Sequence, residues 1–91
     1  MPKYKFEPSS KFSREYKKLS QSDRDLTDEV IDLLLDGKKL PDKNKDHDLN
    51  GNLKGYRECH IKPDLLLIYQ IQKKILVLSC VRVGSHSDLF G

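Results

Sequence analysis

Three histidines stand in this 91-residue chain, and none lies inside an apolar run: His47, His60 and His86. An imidazole, with an ordinary pKa of about 6.5, takes or gives a proton close to neutrality. Taken singly, each of the three reads first as a surface or turn residue. Taken with Asp64, Arg57 and Arg82, they fit one task. Cleavage of RNA by its own 2′-OH needs a base, an acid for the departing 5′-oxygen, and a fixed cation beside the phosphorane. Imidazole suits either proton role. Arginine does not give up its proton and grips phosphate with a planar fork, so Arg57 or Arg82 suits the third role.

Metal chemistry is the rival use of the same residues. The separations, thirteen residues from His47 to His60 and twenty-six from His60 to His86, match no compact zinc pattern. Cys59 and Cys80 alternate away from His60 and read as free, buried thiols rather than a disulfide framework. No metal and no other cofactor is expected. The chain also lacks a glycine-rich phosphate loop, a G-x-S-x-G turn and a Cys–His pair with a local signature.

The element that must position this chemistry is Leu53–Tyr69, LKGYRECHIKPDLLLIY. It reads as strand, tight turn, strand, with strands over about 55–62 and 65–71. Pro63 presets the turn and Asp64 can bond its own backbone. In the first strand Tyr56, Glu58 and His60 share one face, and Arg57, Cys59 and Ile61 the other. Leu65–Tyr69 is apolar on both faces, as a covered central strand is. Around this pair, Lys3–Glu7 alternates as a short strand ended by Pro8. A helix capped by Ser9 or Ser10 runs to about Leu19 on a Phe12, Tyr16, Leu19 stripe. A second helix, capped by Ser22, spans Asp23–Asp36 on Leu26, Val30, Leu33 and Leu34, and ends at Gly37. The two helices are expected to form a hairpin. Residues 38–48 read as a charged loop. Ile75–Arg82 is the last strand, with Arg82 on the Leu76, Leu78, Cys80 face, and residues 85–91 form a tail with Leu89 and Phe90 as docking residues. The order is β-α-α-β-β-β: an α+β fold, two N-terminal helices on a mainly antiparallel four-stranded sheet, one domain over residues 1–91.

The net charge is +3, unevenly spread: +4 over residues 1–20, −5 over 21–37 and +3 over 38–62. A basic surface interrupted by one acidic helix suits a polyanionic partner. Ordinary solvated charge would serve solubility alone. The apolar runs are too short to span a bilayer and the N-terminus lacks an apolar signal core, so a cytoplasmic protein without a membrane partner is expected.

Several spaced elements recur together: D-H-x-L-x-G from Asp46, G-Y-R-x-x-H-x-x-P-D from Gly55, L-I-Y ending at Tyr69, and R-x-G-S-H-x-x-L-F from Arg82. Over essentially the whole chain, and most specifically over Asp46–Phe90, the sequence resembles the YafQ branch of the RelE/ParE toxin superfamily. The resemblance implies the same β-α-α-β-β-β layout and a toxin of a type II toxin–antitoxin pair. It implies a ribosome-dependent endoribonuclease that cuts messenger in the A site without metal. Its partners would be the ribosome, mRNA and a small, acidic, DNA-binding antitoxin. The family's catalytic set falls on His47, His60, Asp64, Arg82 and His86, with Arg82 stabilising the phosphate, His86 as general acid, and His60 or Asp64 as base. Phe90 is a contact residue. Lys11, Lys17, Lys18, Lys54 and Arg57 are expected to meet RNA or the ribosome. One departure is Leu65, where related toxins carry Trp, which removes a stacking surface. The alternatives are a ParE-like toxin that binds a protein such as gyrase without cutting RNA, and a plain RNA-binding module.

Overall fold

A computed structural model describes residues 2–90; Met1 and Gly91, the ends of the single domain and of the tail expected from the sequence, lie outside the described residues. The elements are β1 (Lys5–Pro8), α1 (Ser10–Lys17), α2 (Gln21–Leu35), β2 (His47–Asp48), β3 (Arg57–Lys62), β4 (Leu65–Gln72), β5 (Val77–Gly84) and α3 (His86–Phe90). The sheet has five strands in the order β1-β5-β4-β3-β2. β1 runs parallel to β5, and the other neighbours are antiparallel. The α+β architecture is as expected, with one strand more than the four read from the sequence. The extra strand, β2, is two residues of the stretch expected as a charged loop, too short to show a periodicity. The expected tail closes into α3.

Local chemistry sets most boundaries. Ser9 caps α1, its Oγ accepting the Phe12 N–H at 2.9 Å. Ser20, not Ser22, caps α2 by accepting the Asp23 N–H at 3.2 Å, so this helix starts earlier than expected. At its other end Gly37 adopts φ +75°, its N–H bonds Leu34 O, and the Lys38 N–H bonds Leu33 O. This is the paired closure of a left-handed helix end. Thr27 is buried with its Oγ1 on Asp23 O, whereas Leu26, expected in the stripe, remains exposed. The last strand starts at Val77 rather than Ile75, because Leu76 turns through φ +55° and leaves both residues in solvent.

One core joins Phe12, Val30, Ile31 and Leu34 of the helices to Cys59, Leu65, Leu67, Tyr69, Leu78, Cys80 and Val83 of the sheet. Leu66 and Ile68, on the opposite face of β4, are buried as well. β4 is thus covered on both sides, as its continuous apolar run predicts. None of the described helices is long and apolar enough to cross a membrane.

Candidate active site

Two irregularities in the sheet decide which side chains meet. In β5, Arg82 pairs with Ile68 but Cys80 pairs with Tyr69, so Val81 is an extra residue with no partner in β4. A bulge of this kind re-aims the side chains that follow it. Without it Arg82 would share the core face of Cys80, where simple alternation put it. With it Arg82 joins Ile68 on the other face, and Val83 takes the core position. Ser9 secures the bulge: its Oγ donates to Val81 O at 2.7 Å, and its N–H bonds Cys80 O at 2.8 Å. In β3, Ile61 is skipped likewise, between His60 opposite Leu66 and Lys62 opposite Leu65.

The register then writes two rows across the face away from the core. One is His47, Glu58, Ile68, Arg82, on β2, β3, β4 and β5. The next is His60, Leu66, Gly84. Two strand spacings, about 10 Å, separate His60 from Gly84. His86 follows Gly84 by two residues. Asp64 is exposed in the β3–β4 turn at the same end of the sheet. The five residues of the expected catalytic set therefore lie on one face or at its adjoining end.

Each is held differently. His47 is exposed; its Nδ1 lies 2.7 Å from Lys45 O, which only accepts, so that nitrogen carries a proton. Its Nε2 faces Glu58 Oε1 at 3.5 Å. Lys45 adopts φ 47°, and the buried Asn44 donates through Nδ2 to His60 O at 2.7 Å, fastening this segment to β3. His60 is half-buried. Arg82 is gripped by Glu15 of α1, with Nε 3.0 Å from both carboxylate oxygens and Nη2 2.7 Å from Oε2. These bonds hold the guanidinium above its ordinary pKa. His86 opens α3, which is closed by a reciprocal cap: Ser85 N–H donates to Asp88 Oδ2, and Asp88 N–H to Ser85 Oγ. The His86 ring packs on Phe90, with centroids 5.2 Å apart. A side chain at Gly84 would reach to 3.3 Å of the Asp88 Cβ, so glycine lets α3 sit against β5.

Arg57 does not join them. It shares the core-side face of Tyr69 and donates to Asp46 at 2.9 Å and to Asp48 at 2.5 Å. The Tyr69 hydroxyl donates to the same Asp46. Of the two arginines, Arg82 thus lies on the face that bears His47 and His60, and Arg57 on the other. Lys11, Lys17, Lys18 and Lys54 are all exposed, the first three along α1 and its end. Among the described residues, no group of three or more His, Cys, Asp or Glu side chains is placed to hold a metal ion.

Glu58, Glu15 and Asn44 contact His47, Arg82 and the His60 carbonyl without having been singled out. Glu58 was readable, since it alternates with His60. Glu15 is 67 residues from Arg82 and Asn44 is a lone amide in a charged loop; neither carries a local signal. A groove of about 540 Å³ between β1, α1 and α2 contains none of these three residues. Smaller ones adjoin the site: about 400 Å³ beside His60, lined also by Lys43, Lys45 and Lys62, and about 330 Å³ between Glu15, Val83, Gly84 and Asp88.

Comparison with known proteins gives a consistent set. A family model described as "Bacterial toxin of type II toxin-antitoxin system, YafQ" matches residues 4–91. The mRNA interferase toxin YafQ of Escherichia coli strain K12 is 36% identical over 88 residues, covering 93% of this chain and 94% of that protein. The crystal structure of a metal-bound toxin from Helicobacter pylori superposes with a TM-score of 0.83 at 43% identity, covering 96% of this chain and 99% of that one. YafQ in the E. coli DinJ–YafQ toxin–antitoxin complex superposes with a TM-score of 0.85 at 33% identity, covering 98% and 99%.

Proposed function

The chain belongs to the YafQ family of type II toxins, and from that premise we propose that it is an mRNA interferase that cuts messenger on the ribosome. The substrate's own 2′-OH attacks the adjacent phosphate in the A site. His60 or Asp64 takes the 2′ proton, His86 protonates the departing 5′-oxygen, and Arg82 stabilises the charge that gathers on the phosphorane. The single observation that carries this reading is the β5 bulge, which turns Arg82 onto the face that bears His47 and His60, next to the strand end from which His86 departs.

No metal is needed for this scheme, because proton transfer and charge stabilisation both come from side chains. Lys11, Lys17, Lys18 and Lys54 form an exposed basic surface for the ribosomal phosphate backbone, a contact that weakens with salt. Phe90 stacks at the rim. Leu65 lies in the core-side cluster, so this position offers no ring to a base. A cognate antitoxin, small and acidic, holds the protein inactive in the cytoplasm; the DinJ–YafQ complex of the E. coli relative is the precedent.

The test is a translating extract containing EDTA at a level the ribosomes tolerate, with messenger ends mapped. Wild type yields discrete cuts within translated codons, and His86→Ala lowers the cleavage rate by roughly 100-fold or more. Intact messenger at every dose would overturn the nuclease reading. Growth arrest that survives both His86→Ala and His60→Ala would favour a toxin acting on a protein target.

A further inference from the structure

Arg82 is not free to swing. The edge of a guanidinium that usually grips phosphate, Nε with one Nη, is already taken by Glu15 in a two-pronged bond. Nη2 also lies 3.4 Å from Asp88 O, in the turn of helix that carries His86. Glu15 Oε1 in addition accepts the Val83 N–H at 3.2 Å, one residue beyond Arg82. Both side chains are about four-fifths buried, at 23% and 20% exposure. Among the described residues Nη1 has no protein acceptor. One carboxylate from α1 thus holds the backbone beside the strand residue and its side chain, and Arg82 in turn reaches the Asp88 carbonyl of α3.

We propose that Glu15 is a positioning residue for the cleavage reaction: it clamps Arg82 by its Nε–Nη2 edge, so that Nη1 is presented to a single phosphoryl oxygen as the charge develops. This rests on the nuclease reading given above. A long, flexible arginine loses considerable rotamer freedom when it docks on phosphate. Here that ordering precedes the substrate, so the cation is in place without reorganisation at the moment of reaction. The opposite arrangement, in which Glu15 competes with phosphate for Arg82, makes the opposite prediction.

Single-turnover cleavage on saturating programmed ribosomes separates the two. Glu15→Gln keeps shape and an acceptor but loses the two-pronged charge clamp. The rate constant is expected to fall roughly 10–100-fold while the half-saturating ribosome concentration stays as in wild type. In a double-mutant cycle, Glu15→Gln with Arg82→Ala is expected to be no slower than Arg82→Ala alone, since Glu15 acts through that side chain. A wild-type or faster rate for Glu15→Gln, or losses that multiply in the double variant, would overturn the proposal. Arg82→Ala cleaving as wild type would instead remove Arg82 from the nuclease scheme itself. Should Glu15→Gln fail to fold, nitrogen-15 NMR of the unmutated protein decides: a clamped Arg82 shows slow Nε–H exchange, and exchange at the rate of a free guanidinium would sink the idea.

Discussion

Arg57 and Arg82 are equivalent on chemical grounds and lie on opposite faces of the sheet. Alternation along β3 sends Arg57 to the core side, where Asp46 and Asp48 neutralise it and Tyr69 shares the Asp46 carboxylate. The Tyr69 hydroxyl is accordingly pushed above its ordinary pKa, first by burial and then by the bond to Asp46. This network holds the segment that leads into His47 without touching the polar face. Tyr69→Phe removes one buried hydrogen bond to a charged group and leaves Asp46 with Arg57 alone. The expected cost is about 2 kcal/mol, read as a fall in Tm of roughly 8–16 °C for a domain of this size. Cleavage at a temperature where both proteins are folded should be unchanged. An unaltered Tm would show that Asp46 does not depend on that hydroxyl.

The bulge and its fastening are the device at the next scale. Ser9 does three things through one residue: its Oγ caps α1, the same Oγ closes on Val81 O, and its N–H bonds Cys80 O. Ser9→Ala leaves a helix-end donor and the bulge carbonyl without their partner, at a cost of about 1–2 kcal/mol. Because Arg82 follows the bulge directly, cleavage should fall more than stability alone explains when measured well below Tm; a variant destabilised but fully active would uncouple the bulge from the site. The strand pair around Pro63-Asp64 was legible because turn chemistry and two-residue alternation agree there. β4 was legible as central because it is apolar on both faces. The face of Arg82 was not, since a bulge inserts one residue without changing the composition of the strand. Nor was β2, whose two residues carry no period and whose approach to β3 is accompanied by a bond from Asn44 to His60 O, sixteen residues away. The parallel contact of β1 with β5 joins residues 72 apart, Lys5 with Val77 among them, which no local pattern reports.

As a whole, the molecule divides its sheet between two duties, and the division has a consequence in alkali. The core face is dry enough to hold two thiols with no exposed surface, Cys59 and Cys80. Burial pushes both up from their ordinary value of 9.0, Cys80 to about 12. Well below pH 9 the thiols are protonated in folded and unfolded chains alike and contribute nothing to the pH dependence. Above it the unfolded chain releases these protons while the folded one retains them, so the unfolded state binds fewer protons and stability falls as pH rises. The decline should begin near pH 9 and continue towards 12, at up to about 1.4 kcal/mol per pH unit for each thiol. Urea midpoints between pH 8 and 10.5, with a phosphine reductant present, would show the slope, and Cys80→Ala should make it shallower even where it lowers stability overall. The same burial predicts that a thiol-specific disulfide reagent at pH 8 labels neither cysteine until the chain unfolds. Prompt labelling under native conditions would mean that the core face opens on its own, and with it the sheet that keeps His60 and Arg82 on one side.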